Sequence, residues 1–396
     1  MSEKKHVFII GSKGIPAQYG GFETFVDELV SRRQSGRICY HVSCCRDGWR
    51  DKKKESFFYH GARCFTIARW PVGPAKAIIY DRDSLHVCVR YIEKHRIKNP
   101  VVYVLACRIG PFIGYYRRRI ERLGGVLMVN PDGHEWKRSK WSRMVRAYWR
   151  YSERRMVKNA DLVICDSKNI QKYIDETYRC YQRPTVFLPY GADIRSQPEN
   201  PEKTEEWLKK WGTAPGEYYL IVGRFVPENN YETMLREFMA SHTEKKLLVI
   251  TNVEKNKFYE NLRESTHFDR DKRICFAGTV YDQELLSGIR HMAFAYLHGH
   301  EVGGTNPSLL EGLGATKLNL LYAVSFNQEV GKEGAFYWTK DKGSLSGLIA
   351  EVENLAPEEW EEKGRLAKQR IMEDYQWNDI VEKYEKIFLN FKKQER

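Results

Sequence analysis

The chain has 396 residues, of which 42% are hydrophobic and 30% charged, and its formal net charge is +13. That length exceeds what one hydrophobic core ordinarily organises and predicts two domains, while the apolar content and the lack of long polar tracts exclude a disordered protein. The excess of lysine and arginine predicts an anionic partner: a phosphorylated ligand, an acidic membrane face or a nucleic acid.

Near the N-terminus the apolar run covers only residues 7–10 (VFII) before a glycine turn. This is too short for a signal peptide or a membrane span, so a cytoplasmic location is expected. The run is the first predicted strand, and residues 22–33 (FETFVDELVSRR) form the first predicted helix. Between them lies GSKGIPAQYGG, where absent side chains at Gly20 and Gly21 let backbone N–H groups approach a phosphate at a helix N-terminus. The spacing matches neither the G-x-G-x-x-G of dinucleotide binders nor the G-K-[ST] ending of a P-loop. Residues 77–95 have helical spacing. Asp81 and Asp83 form an Asp-x-Asp pair there, but two residues of helix turn them about 200° apart, so a solvated helix face and a metal-free site are expected. Strands are predicted at VVYVLA (101–106), GVLMVN (125–130) and DLVIC (161–165), each followed by a helical candidate, the alternation of a parallel sheet. Asp132 and Glu135 sit in the loop after GVLMVN. Basic residues, Lys140 among them, then crowd the stretch up to Lys158. Over residues 136–160, Arg143, Arg146, Arg150 and Arg154 fall on one helical arc, with Trp141, Val145, Tyr148 and Ser152 on another.

Residues 194–217, with Pro198, Pro201 and Pro215, break this rhythm and read as a linker between a domain of residues 1–193 and one of residues 218–376. The second domain carries predicted strands YYLIVG (218–223), KLLVIT (246–251), RICFAG (273–278) and AFAYLH (293–298), with amphipathic helices between them. The segment YLHGHEVGGTNPSLLEGLGA follows, where Asn306 suits a helix N-cap and Pro307 the first helical position. Unpaired N–H groups there make an anion site, and Glu311, one turn on, is placed to accept hydrogen bonds from ribose hydroxyls. His298 and His300 lack a third ligand at metal spacing. After Pro357 the pattern is helical to the end. Nine cysteines without a C-x-x-C pair fit neither a disulfide framework nor a zinc site and read as reduced thiols, many of them buried.

The segments GIPAQYGGFE, NPDGHEWKRSKW, ADLVICDS, LPYGAD, GRFVPENN and EVGGTNPSLLEG, in this order, resemble the retaining family 4 glycosyltransferases. Within them they resemble the dTDP-rhamnose-dependent β-1,4-rhamnosyltransferases of capsule synthesis. The likeness spans residues 7–377. It implies an α/β fold of the GT-B type, two Rossmann-like domains facing across a cleft, with a C-terminal helix (377–396) returning to the first domain. It also implies transfer of L-rhamnose from dTDP-L-rhamnose to a polyprenyl-diphosphate-linked sugar, glucose or N-acetylglucosamine, in capsule or cell-wall polysaccharide synthesis. No cofactor, metal or nucleic acid is expected, and the enzyme would sit peripherally on the anionic inner face of the plasma membrane. Gly20, Gly21 and Arg224 would meet the donor diphosphate, as would the turn Gly303, Gly304, Thr305, Asn306, Pro307 and Ser308, with Asn229 beside it. Glu311 would hold the ribose. Asp132 and Glu135 would lie near the reacting sugar or the acceptor and, with Arg224, are the expected catalytic residues. Glu23, Arg146, Arg150 and Arg154 are assigned to the acceptor or membrane side. The implied mechanism retains configuration without an enzymic nucleophile: the acceptor hydroxyl attacks the face that the diphosphate leaves, and a phosphate oxygen takes its proton.

Two positions depart from the family pattern. A lysine usually follows the arginine by five residues, but here Asn229 stands there; two glutamates are usually separated by seven residues, but eight before Glu311 stands Gly303, with Glu301 two residues too early. Both occur in the rhamnosyltransferase-like subgroup. A different nucleotide-sugar donor, a sugar-nucleotide epimerase on the same fold, and a noncatalytic partner subunit remain the alternative readings.

Overall fold

The computed structural model describes residues 4–17, 20–47, 56–70, 72–138, 141–194, 198–253 and 256–393. Lys140 and the Gln18–Tyr19 part of the glycine motif lie outside the described residues. The chain divides into two compact units, unit 1 of Met1–Tyr190 with Trp377–Arg396 and unit 2 of Gly191–Gln376.

Unit 1 is built on eight strands: β1 (Lys5–Ile10), β2 (Ile38–Asp47), β3 (Ser56–Tyr59), β4 (Ala62–Arg69), β5 (Val101–Leu105), β6 (Val126–Asn130), β7 (Leu162–Cys165) and β8 (Thr185–Phe187). They are ordered β3-β4-β2-β1-β5-β6-β7-β8. Its helices are α1 (Gly21–Ser31), α2 (Lys76–Lys94), α3 (Gly110–Arg122), α4 (Arg143–Asn159) and α5 (Lys168–Thr177). All pairings are parallel except β3 with β4. That hairpin turns at His60 and Gly61, both with positive φ (44° and 77°), as a tight two-residue turn of this twist demands. Strands β5 and β6 are buried throughout, which explains why they read as continuous apolar runs. One face of the sheet packs on α2 to α5 through residues such as Leu85, Ile92, Ile113, Met156 and Ile174.

Unit 2 carries six parallel strands, β9 (Tyr218–Val222), β10 (Lys246–Ile250), β11 (Ile274–Gly278), β12 (Ala295–His298), β13 (Leu318–Tyr322) and β14 (Phe336–Trp338), in the order β11-β10-β9-β12-β13-β14. Its helices are α6 (Pro201–Lys210), α7 (Tyr231–Ala240), α8 (Lys257–Thr266), α9 (Gln283–Met292), α10 (Pro307–Ala315), α11 (Ser325–Gly331), α12 (Ser344–Glu353) and α13 (Pro357–Asp374). Alternate residues of β9 serve opposite cores. Tyr219 and Ile221 join Phe238, Leu262 and Ile349 on one face, while Tyr218 and Leu220 join Leu208 and Ile289 on the other. The last helix, α14 (Trp377–Asn390), belongs to unit 1, where Tyr384 and Phe388 pack on Phe25, Tyr40 and Tyr103.

The segment 194–217, read as linker from its prolines, instead contains α6. Pro201 occupies its first turn, where a missing N–H costs nothing, and Asn200 caps it by accepting the Lys203 N–H (3.0 Å). Sequence patterning also passed over β2, the β3–β4 hairpin, the short edge strands β8 and β14, and β13 inside the second sheet.

In each sheet the chain leaves a first strand in one direction and later returns on its other side, between β1 and β5 in unit 1 and between β9 and β12 in unit 2. Ligands of open α/β sheets bind at the carboxyl ends of strands at such switch points. The loop after β1 and the loops after β9 and β12 all lie there.

Candidate functional site

In unit 1 the loop after β1 is held by side chains that the motif did not announce. Arg108, after β5, donates to the Gly11 carbonyl (2.8 Å) and to Asp81 Oδ2 (2.9 Å), and the Tyr80 hydroxyl donates to the Ser12 carbonyl (3.0 Å). Asp81 therefore does not lie on a solvated helix face: its side chain is 1% exposed, and burial raises its pKa against the pull of Arg108. Asp83, turned away on the helix, pairs with neighbouring Arg82 (2.7 Å). Glu23 also has a local task. It is buried in the first turn of α1, and its Oε1 accepts the Lys13 N–H (2.6 Å), so it shapes the glycine loop. Gly20, the N-cap, has φ 133°, and a Cβ there would stand 1.9 Å from Glu23 Oε2, so glycine is needed by backbone and by space alike. Gly21 opens the helix.

Asp132 and Glu135 come together after β6. Asp132 adopts φ 60°, its N–H donating to Asn130 Oδ1 (2.7 Å), and His134 is also left-handed. Glu135 is paired with Arg138 and accepts the Trp141 indole N–H (2.9 Å). Both carboxylates line a small recess with Trp136, and with Trp149 and Glu153 of α4. Burial, then the charge of Glu135, raises the Asp132 pKa, although Arg138 and Arg108 oppose this. Glu153 is 4% exposed; burial raises its pKa even though Tyr173 (2.6 Å) and Tyr178 (2.5 Å) both donate to its Oε1. Carboxyls held toward the protonated form in a recess are suited to exchanging hydrogen bonds or protons with a hydroxyl. Glu153 was missed. Its one signal is that it is the only acid in the α4 sequence.

The basic helix itself is confirmed as α4, with Ser142 capping it. Its inner face carries Ser152, Glu153, Met156 and Val157, while Trp141, Val145 and Tyr148 are half-buried. Arg143, Arg150 and Arg154 are exposed, but Arg146 is half-buried. Arg150 lies 4.1 Å from the Trp136 ring centre, and Arg154 donates to the Tyr181 hydroxyl (2.6 Å). Met144 (83%) and Tyr151 (51%) stand exposed on the same helix. Among the described residues no helix is long and apolar enough to cross a membrane.

In unit 2, Arg224 follows β9 and is exposed; its guanidinium has no hydrogen-bond or ion-pair partner among the described residues. Its backbone carbonyl accepts the Asn229 side-chain N–H (2.7 Å). Asn306 caps α10 as expected, its Oδ1 accepting the Ser308 N–H (2.9 Å). Ser308 is thus engaged by its own cap, and Pro307 has no N–H to offer an anion. The Ser308 hydroxyl donates to the Val222 carbonyl (3.0 Å), and the Tyr296 hydroxyl lies 2.9 Å from Ser308 Oγ and 3.1 Å from His298 Nδ1. Burial lowers the His298 pKa to about 3, so it is neutral. Glu311 pairs with Arg290 of α9, a buried arginine that sequence reading passed over because nothing in QELLSGIRHM marks it.

His298 and His300 are 6.1 Å apart by ring centres. Among the described residues, only His6, Cys39 and His41 have ligand atoms close enough together for a metal ion, on β1 and β2. The positive charges of Lys4 and Arg33 act on Cys39 and that of Arg63 on His41, which disfavours a cation there. All nine cysteines are unpaired, five of them buried.

Residues 4–193 match the model of a domain of unknown function, DUF1972. No curated protein matches the sequence. Solved structures resemble it over nearly its whole length. Sucrose-phosphate synthase from Thermosynechococcus elongatus is 14% identical with a TM-score of 0.77, covering 98% of both chains. The Anabaena HepE protein, solved with UDP and glucose, is 12% identical with a TM-score of 0.72 over 98% of this chain and 100% of that one. A glycosyltransferase from Rickettsia africae is 13% identical with a TM-score of 0.70, covering 98% of both. At such identities the likeness establishes the fold: two parallel Rossmann-like sheets of the GT-B type.

Proposed function

We propose that the protein is a metal-independent retaining glycosyltransferase that moves L-rhamnose from dTDP-L-rhamnose to a lipid-diphosphate-linked sugar. The observation that carries this reading is the construction of unit 2, where the cation of Arg224 and the capped N-terminus of α10 occupy the switch point of the sheet. A diphosphate gains charge as the glycosidic bond breaks, and a guanidinium with oriented amides stabilises that charge most where it develops. Glu311, held by Arg290, is placed one turn along to accept a hydroxyl of the nucleoside. The likeness to a structure solved with UDP and glucose supports a nucleotide-sugar ligand.

The acceptor belongs to unit 1. Asp132, Glu135 and Glu153 offer carboxyls to a sugar hydroxyl. Because the mechanism needs no enzymic nucleophile, their share is orientation of the attacking hydroxyl. A lipid-linked acceptor requires contact with a membrane, and α4 supplies cations interspersed with exposed Met144 and Tyr151, as an interfacial helix does.

Calorimetric titration with dTDP, UDP and their sugar conjugates tests the donor assignment. Micromolar binding of dTDP and dTDP-L-rhamnose is expected, with UDP weaker. No binding of either nucleoside diphosphate at millimolar concentration contradicts the proposal.

A further inference from the structure

We infer that Tyr173 and Tyr178 are positioning residues: by holding one oxygen of Glu153 between them, they aim its other oxygen at the attacking hydroxyl of the acceptor. This rests on the glycosyltransferase reading above. Buried carboxylates that serve the fold elsewhere in the chain use both oxygens. Glu237 takes the Gly343 N–H on Oε1 (3.1 Å) and the Leu345 and Ser346 N–H groups on Oε2 (3.2 and 3.1 Å). Glu385 takes the Gln34 N–H on Oε1 (3.1 Å) and the Ser35 N–H on Oε2 (2.8 Å). Glu153 is buried as deeply, at 4% exposed against 7% and 3%, yet its donors are doubled on one side. Both tyrosine hydroxyls donate to Oε1, Tyr173 at 2.6 Å and Tyr178 at 2.5 Å, and no described residue donates to Oε2. A buried acceptor left without a donor is costly, and Glu153 lines the recess after β6, so Oε2 is the oxygen offered to a ligand.

The helix that carries Glu153 is pinned on its other side. The neighbouring Ser152 hydroxyl donates to the Cys107 carbonyl (2.6 Å) and accepts the Gly110 N–H (2.8 Å), and the Tyr148 hydroxyl donates to the Arg108 carbonyl (2.7 Å). A Cβ at Gly110 would stand 2.4 Å from Ser152 Cα, so α4 lies directly against the start of α3. Tyr173 is fixed in turn by the loop after β6, its ring centre 4.2 Å from that of His134. Asp132 of the same loop, held at φ 60°, lines the recess with Glu153. The carboxylate is thus set by three separate elements, as orientation of a reacting group requires.

A sugar hydroxyl entering the recess has one hydrogen to give. Oε2 accepts it only when Glu153 is ionised: with Oε1 taken by two donors, a proton on the carboxyl sits on Oε2 and makes it a donor. The groups facing Glu153 are Tyr173 of α5, Tyr178 after it, Arg150 of its own helix, Asp132 and Glu135 after β6, and Cys107 after β5. Burial raises its pKa; the two phenols and Arg150 lower it, and the charge of Asp132 raises it. The tyrosines therefore both aim the carboxylate and favour its ionised form.

The test uses the full chain with a polyprenyl-diphosphate-linked glucose and whichever of dTDP-L-rhamnose and UDP-glucose gives product. Rates are followed from pH 5 to 9, and donor affinity is measured by calorimetry. Glu153→Gln should lower kcat/KM for the acceptor about tenfold or more and leave donor affinity within about twofold. Tyr173→Phe and Tyr178→Phe keep the rings and remove one donor each. Each should move the acidic limb of kcat/KM to higher pH by about one unit, because the carboxylate loses a hydrogen bond that favours its charge. Above the limb each should return to within about threefold of the unmodified protein, a rescue that a damaged fold does not give. These two variants also decide the matter should Glu153→Gln fail to fold. An unmoved limb in both, an unchanged acceptor kcat/KM in Glu153→Gln, or equal losses for acceptor and donor overturn this inference alone. No transfer from either donor by the unmodified protein overturns the functional reading and this inference with it.

Discussion

Replacing Glu311 with glutamine separates the stability and the recognition that meet in one carboxylate. The side chain of Arg290 is 5% exposed and that of Glu311 34%, so the substitution leaves a buried cation facing a neutral amide. Loss of one partner of a fully buried pair costs about 3–5 kcal/mol; here the amide oxygen still accepts a hydrogen bond and water reaches the glutamate side, which brings the expected cost to about 1–2 kcal/mol. Urea unfolding measures it. Adding Arg290→Met removes the orphaned charge and should restore most of the stability. Affinity should behave differently. Glu311→Gln should weaken UDP and UDP-sugars by a similar factor, about five- to tenfold, because the contact is to the nucleoside; dTDP, with only a 3′-hydroxyl, should lose less. The double variant should stay equally weak. Recovery of affinity together with stability would show that Glu311 only supports the fold, and unchanged affinity in the single variant would remove it from the nucleoside site.

Arg224→Ala should lower turnover at least tenfold, about 1.4 kcal/mol in the barrier, with an unchanged unfolding curve, since the side chain has no partner among the described residues to lose. Steady-state kinetics beside urea unfolding decides this; unaltered turnover in the folded variant excludes Arg224 from the site. His41 and His298 are both held near pKa 3 by burial, so the unfolded chain binds protons that the folded one refuses as pH falls below 6.5. Stability should therefore decline on acidification from pH 6.5 toward 4, by about 1.4 kcal/mol per unit for each histidine at the limit, and His298→Phe should flatten the slope in a pH series of urea melts; an unchanged slope refutes the assignment. Co-sedimentation with vesicles should require anionic lipid, weaken with salt, and drop when Arg143, Arg150 and Arg154 become glutamine; equal binding to neutral vesicles would remove α4 from that role.

Much of the fold was legible because parallel strands buried on both faces leave continuous apolar runs, as at β1, β5, β6, β9 and β10. The edge strands β8 and β14 have three residues each and leave no such mark, and the prolines of 194–217 signalled a helix start as well as a break. At the site, the N-cap of α10 followed from Asn306-Pro307 alone. What could not be read were contacts made by tertiary packing: Arg108 on Asp81, Arg290 on Glu311, and Glu153 turned inward from a basic helix. Glu153 and Tyr178 are 25 residues apart, and only the fold places them together.

The central claim is glycosyl transfer, and product analysis tests it most directly. The protein is incubated with dTDP-L-rhamnose, UDP-glucose or UDP-N-acetylglucosamine, each with a polyprenyl-diphosphate-linked glucose, and the lipid fraction is examined by mass spectrometry. Mass gain of one deoxyhexose from dTDP-L-rhamnose, dependent on the lipid acceptor and insensitive to a metal chelator, is the expected result. Conversion of a nucleotide sugar to its epimer without acceptor, or no product from any donor with a protein shown to bind nucleoside diphosphate, would contradict it.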